Sequence, residues 1–124
     1  MIIGVGIDIT DVERIKRLIE KRGARFLDRV YTTGERKHSL ASGKGSAMRF
    51  GARFAAKEAA IKALGGVKDT AYNEYEVVTT KSGKPELRLK GRAAEVARNM
   101  GVKSIHLSFS HLPKYAVAVV VLEG

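Results

Sequence analysis

Three side chains could do chemistry together: Asp8, Glu58 and Lys62. Glu58 and Lys62 belong to RFAAKEAAIKALG, Arg53 to Gly65, where charge interrupts a run of alanine, phenylalanine, isoleucine and leucine. At about 100° per residue, Phe50, Phe54, Ile61 and Leu64 fall on one stripe of a helix, with Lys57 inside it. Glu58 lies roughly 40° from Phe54, and Lys62 one step further round. The far side carries Ala55, Ala56, Ala59 and Ala63. A helix apolar on both sides is expected to be largely buried, and its charges then need partners. The simpler alternative is a surface i,i+4 pair between Glu58 and Lys62, worth a few tenths of a kcal/mol. The alanine surroundings argue against it.

Asp8 supplies a second carboxylate. It shares a strand face with Gly4 and Gly6, whose missing side chains let another backbone come close. If the small-residue helix packs there, Asp8 and Glu58 converge at one end of the contact. Two carboxylates with no imidazole or thiol beside them favour a hard cation, and Mg²⁺ commonly takes one or two protein carboxylates, with water and substrate phosphates completing its octahedron. The alternative for Asp8 is a strand-end residue that helps start a helix.

The elements that must position these groups are legible in outline. Residues 2–9 alternate as a strand, with Ile3, Val5, Ile7 and Ile9 opposite Gly4, Gly6 and Asp8. Thr10-x-x-Glu13 predicts a capping box, and Val12, Ile15, Leu18 and Ile19 a helix ending near Gly23. A short helical segment from Phe26 to Tyr31 leads to a second box, Thr32-x-x-Glu35. Ser42 to Ser46 reads as a loop before the central helix, which ends at Gly65-Gly66. Tyr75 to Thr80 and Glu86 to Lys90 read as strands joined by a Ser82-Gly83-Lys84-Pro85 turn. Ala93, Val96, Ala97 and Met100 mark another helix, and Ser104 to Ser110 and Tyr115 to Leu122 a final strand pair. The expected fold is a single α+β domain over residues 1–124, a mainly antiparallel sheet packed against a long central helix.

Composition narrows the functional class. There is no cysteine, which excludes a disulfide framework, thiolate metal sites and a cysteine nucleophile, and points to a reducing cytoplasm. MIIGVGIDI is too short for a membrane span or signal peptide and is interrupted by Asp8. The net charge of +10, from 23 Lys+Arg against 13 Asp+Glu, suits an anionic partner.

GIDITDVERI, followed some forty residues later by RFAAKEAAIKALG, resembles the holo-[acyl-carrier-protein] synthase family of small phosphopantetheinyl transferases. The Ser82-Gly83-Lys84-Pro85 turn and the closing SFSHLPKYAVAVV match that pattern in order and approximate spacing, so the resemblance spans essentially the whole chain. It implies transfer of the 4′-phosphopantetheine arm of coenzyme A to a serine of apo acyl carrier protein, in fatty acid biosynthesis. It further implies Mg²⁺ held by Asp8 and Glu58 against the pyrophosphate, with Lys62 on the same phosphates. Lys57 is either a neighbouring phosphate contact or a snorkelling surface lysine. His111, and more weakly Arg53, would meet the 3′-phosphate, while Gly65, Gly83 and Pro85 would shape the nucleotide pocket by backbone approach. The acceptor of the serine proton stays open among a metal-bound water, Glu58 and solvent. An acidic acyl carrier protein would dock on Arg14, Leu18, Arg22, Arg25 and Phe26, and the family implies a homotrimer with shared sites. The rival from another class is a basic nucleic-acid-binding module without catalytic activity. Aromatics at 6%, none in a stacking pattern, argue against it.

Overall fold

In the computed structural model, which describes residues Met1–Gly124, the N-terminal alternation becomes β1, Ile2–Asp11. There follow α1 (Val12–Arg22), α2 (Ala24–Val30), α3 (Thr33–Leu40) and the long α4 (Ser46–Ala63). A 3₁₀ turn at Tyr72–Glu74 leads into β2 (Tyr75–Thr79) and β3 (Pro85–Leu89), then α5 (Gly91–Met100), β4 (Ser104–His111) and β5 (Tyr115–Glu123). The expected α+β architecture and antiparallel pairing are present, divided between two sheets. One has the order β1-β5-β4, the other is the β2-β3 ribbon. No helix is long and apolar enough to cross a membrane.

The two faces of β1 are used as their side chains dictate. A Cβ added to Gly6 would overlap the Ala59 carbonyl oxygen and lie 2.7 Å from the Ala63 nitrogen, and one added to Gly4 would overlap the Ala63 carbonyl oxygen. The glycine face of the strand therefore meets the alanine face of α4 almost backbone to backbone. Ala55, Ala56, Ala59 and Ala63 are all buried there. The opposite face carries Val5, Ile7 and Ile9, each more than half exposed. In β5 the same alternation buries Ala116, Ala118, Val120 and Leu122 and leaves Val117, Val119 and Val121 half-buried beside the exposed residues of β1.

The start of α1 corrects the expected Thr10 capping box. β1 stays paired with β5 through Asp11, opposite Tyr115, so Thr10 is still a ladder residue. Asp11 is the cap, accepting from the backbone N–H groups of Glu13 and Arg14. The second box does form: Thr32 caps α3, and the Glu35 side chain returns to the Thr32 N–H.

Lys57 corrects both expectations for it, because it is fully buried and its ammonium is engaged within the protein. Its side chain has no exposure, nor has that of Glu35, whose Oε1 lies 2.8 Å from the ammonium. The ammonium also donates to the carbonyl oxygens of Tyr72 at 3.1 Å and Tyr75 at 2.5 Å, which accounts for all three protons. Glu35 Oε2 accepts from the Val77 N–H. Burial pushes the ammonium below its ordinary range, and the charge and hydrogen bond of Glu35 oppose that shift.

Two stability measurements test this packing. Gly6→Ala should cost about 3 kcal/mol in urea unfolding, since the added methyl meets backbone that cannot yield. A loss below about 1 kcal/mol would mean that β1 and α4 are not in close contact. Lys57→Met should cost about 3–5 kcal/mol, and adding Glu35→Gln should recover part of that loss.

Candidate active site

The β1–α4 contact fixes where Asp8 stands. Gly6 lies against Ala59, and Gly51 lies against Val12, so strand and helix run in opposite directions. Asp8, between those two contacts and facing α4, is level with the helical turn 55–58 that contains Glu58. Lys62 crosses from the helix to the strand: its ammonium donates to Asp8 Oδ1 at 3.1 Å and to the Ile7 carbonyl oxygen at 3.0 Å. The Thr10 hydroxyl donates to the other oxygen, Asp8 Oδ2, at 2.7 Å. The Asp8 side chain is only 14% exposed, while that of Lys62 is 53% exposed. The lysine can therefore swing away, whereas the carboxylate is held in place.

Glu58 does not pair with Lys62, so the simple i,i+4 alternative is not realised. Its Oε1 accepts a 2.6 Å hydrogen bond from the Tyr72 hydroxyl. Burial, the hydrogen bond to Glu58 and that carboxylate's charge push the Tyr72 phenol up to about 12, so it remains a donor at neutral pH. The ring of Tyr72 packs against Phe54 with centroids 5.5 Å apart.

Arg53 lies elsewhere. Nine residues separate it from Lys62, which is about 180° around the helix. Arg53 is buried, with Nη1 donating to the Arg49 carbonyl oxygen, Nη2 to Thr79 Oγ1, and Nε left without a partner. Its guanidinium carbon is 5.8 Å from the ring centroid of Phe109 in β4. Arg49 joins this region by donating to the His38 carbonyl oxygen at 2.9 Å. Burial and the charges of Arg53 and Arg49 hold the His38 imidazole below its ordinary range. His111 is exposed at the end of β4, opposite Ala116. Within one chain, then, Asp8 and Lys62 meet, Glu58 stands one helical turn before Lys62 with its carboxylate on Tyr72, and Arg53 faces away from Lys62.

Gly65 and Gly83 both have positive φ, 90° and 85°, and a Cβ on either would meet nothing within 4 Å. Backbone conformation, not crowding by the protein, requires glycine there. Pro85 opens β3 opposite Thr79. Arg14, Leu18, Arg22, Arg25 and Phe26 do share one surface, a cleft of about 730 Å³ between α1 and α2. Phe54 and Tyr72 form part of its lining, with Arg29 and Lys21 adding to the positive rim. Sequence reasoning missed Thr10 as the partner of Asp8 and Tyr72 as the partner of Glu58. Thr10 was within reach, being two residues along the same strand face; Tyr72 had no local signal.

Similarity to known proteins extends over nearly the whole chain. Residues 4–120 match the model of the 4′-phosphopantetheinyl transferase superfamily. A holo-[acyl-carrier-protein] synthase of Koribacter versatilis is 46% identical over 125 residues, covering 99% of each chain. One of Maridesulfovibrio salexigens is 45% identical with the same coverage. Among solved structures, the holo-ACP-synthase of Plasmodium yoelii superposes with a TM-score of 0.84 at 32% identity, over 98% of this chain and 94% of that one. The Bacillus anthracis holo-(acyl-carrier-protein) synthase in complex with CoA (3′,5′-ADP) gives 0.80 at 34% identity, over 98% and 96%. With a family match and relatives of this identity over nearly the full length, the chain belongs to the 4′-phosphopantetheinyl transferase superfamily.

Proposed function

We propose that this chain is a holo-[acyl-carrier-protein] synthase. It transfers 4′-phosphopantetheine from coenzyme A to a serine hydroxyl of apo acyl carrier protein and releases adenosine 3′,5′-bisphosphate. The observation that carries the reading is the meeting of Asp8 and Lys62 across the β1–α4 contact, with Glu58 on the adjoining helical turn. Dependence on Mg²⁺, a place in fatty acid biosynthesis and a cytoplasmic location belong to the same proposal.

The donor set fits magnesium. No group of three or more His, Cys, Asp or Glu residues is assembled anywhere in the chain, so a closed protein cage is absent. Two hard carboxylates that leave most positions to water and phosphate are what Mg²⁺ accepts. The Lys62 ammonium on Asp8 Oδ1 also marks a position where positive charge is already balanced. Asp8 and Glu58 would hold the ion, which when bound supplies charge neutralisation at the coenzyme A pyrophosphate.

The chain's own groups have distinct tasks in the transfer. The serine oxygen attacks the phosphorus that bears the pantetheine arm, the bond to the 5′-phosphate oxygen of the adenosine bisphosphate breaks, and the serine proton passes to water. Lys62, exposed and held only by Asp8 and Ile7, turns its ammonium to the phosphates and stabilises the departing oxygen. Thr10 keeps Asp8 oriented while Lys62 moves. His111 takes the 3′-phosphate, with Arg53 secondary to it and reaching that anion only on release of its bonds to Arg49 and Thr79, and Gly65, Gly83 and Pro85 border the nucleotide.

Two features support a homotrimer with shared sites. Arg53 and Lys62 lie on opposite sides of α4, so a coenzyme A that touches both draws them from neighbouring copies. Val5, Ile7 and Ile9 form an exposed apolar face continuous with Val117, Val119 and Val121, of the kind that association covers. The acidic carrier docks in the cleft of Arg14, Leu18, Arg22, Arg25 and Phe26, where a basic rim around apolar residues steers it in and then excludes water.

Incubation with coenzyme A, Mg²⁺ and an apo acyl carrier protein should add the phosphopantetheine mass to the carrier. Absence of transfer across a range of divalent metals overturns the enzyme reading. Asp8→Ala and Glu58→Ala should each abolish turnover without changing the circular dichroism spectrum. Near-normal activity of both at low Mg²⁺ would show the metal assignment to be wrong. Arg14→Glu should raise KM for the carrier about tenfold while leaving coenzyme A binding unchanged, the signature of lost charge steering.

A further inference from the structure

Tyr72 is attached to α4 at three places that correspond to three of its residues. Its ring packs on Phe54, its carbonyl oxygen accepts from the Lys57 ammonium at 3.1 Å, and its hydroxyl donates to Glu58 Oε1 at 2.6 Å. A tyrosine fixed at backbone, ring and hydroxyl by one helix has little freedom left. Glu58 makes no other hydrogen bond within the chain, so its Oε2 is the unengaged oxygen. The other side of the same tyrosine borders the basic cleft, alongside Arg14 and Phe26.

We propose that Tyr72 is a positioning residue for the Glu58 carboxylate, its hydroxyl fixing Oε1 so that Oε2 is presented to the divalent cation. This rests on the reading of Asp8 and Glu58 as cation ligands given above. A carboxylate at the end of three rotatable bonds samples several orientations, and a phenol that holds one oxygen selects among them. Hydrogen-bond partners of metal-binding side chains act in this way generally, and their loss weakens metal binding by about 10–100-fold. Tyr72 also joins two parts of the molecule, because one ring is both a wall of the carrier cleft and the support of Glu58. Displacement of that ring by a badly seated carrier would reach the carboxylate directly.

The test uses Mn²⁺ as the probe, titrated into the full chain with coenzyme A present, with free Mn²⁺ read by electron paramagnetic resonance. Tyr72→Phe keeps the ring and removes only the hydroxyl. It should raise the Mn²⁺ Kd about tenfold and lower kcat by a similar factor. KM for the carrier and the urea midpoint should stay at their wild-type values. In a Glu58→Gln background, the same substitution should change the Mn²⁺ Kd no further. The proposal is overturned if Tyr72→Phe binds Mn²⁺ as the wild type does, or if it weakens binding equally in both backgrounds. A lowered urea midpoint with unchanged Mn²⁺ affinity assigns the hydroxyl a structural role and likewise overturns it. If Asp8→Ala and Glu58→Ala themselves bind Mn²⁺ normally, the cation-ligand reading falls. If they lose binding and Tyr72→Phe does not, only the role of Tyr72 falls.

Discussion

An ammonium and a carboxylate buried together without exposure must satisfy every proton and lone pair inside the protein. Lys57 and Glu35 do so by drawing in four elements: α4 through Lys57, α3 through Glu35, β2 through the Tyr75 carbonyl and Val77 amide, and the 3₁₀ turn through the Tyr72 carbonyl. Such a pair contributes little over a well-packed apolar replacement, but moving any one partner leaves a buried charge uncompensated. The helix, the ribbon and the turn are consequently locked in register. Glu58, one residue on and about 100° round the helix, faces the hydroxyl of the same tyrosine whose carbonyl Lys57 holds.

Much of this was legible in the sequence because its signals are local. The alternation of β1, the Thr32 capping box, the glycine stops and the alanine face of α4 each depend on residues within a few positions of one another. The close approach of β1 and α4, which brings Lys62 to Asp8, was legible for a related reason: glycines on a strand and alanines on a helix imply a close contact, and that contact sets the level of the charged groups on both. The Thr10 box failed because strand pairing with β5 continued one residue past the point where local capping propensity would start the helix. Lys57 failed because its partners are 15–22 residues away. A lysine in an apolar stripe announces a need for a partner without saying which residue meets it. Tyr72 follows a stretch with no periodicity at all, and only the folded turn places it beside Glu58.

The excess positive charge is sharpened by what happens to the acids. Glu35, Asp8, Glu58 and Glu76 are each engaged, with Lys57, Lys62, Tyr72, and Thr32 together with Lys90, respectively. The Thr32 hydrogen bond, assisted by Lys90, holds the Glu76 carboxyl below its ordinary range. Arg14 and Arg22 of α1 and Arg25 and Arg29 of α2 have no such carboxylate partners and gather around Leu18, Phe26 and Phe54. The field presented to an acidic ligand at that cleft is therefore stronger than the overall balance of charges suggests.

The meeting of Gly4 and Gly6 with the alanine face of α4 has a mechanical consequence. Where long side chains separate a helix from a sheet, rotamer changes let the two slide or tilt; where backbone nearly touches backbone, no such slack exists. Asp8 and the turn bearing Glu58 thus behave as parts of one stiff frame. Adjustment to a substrate falls instead to the long, partly exposed stems of lysine and arginine at its edges, with Lys62 the nearest of them.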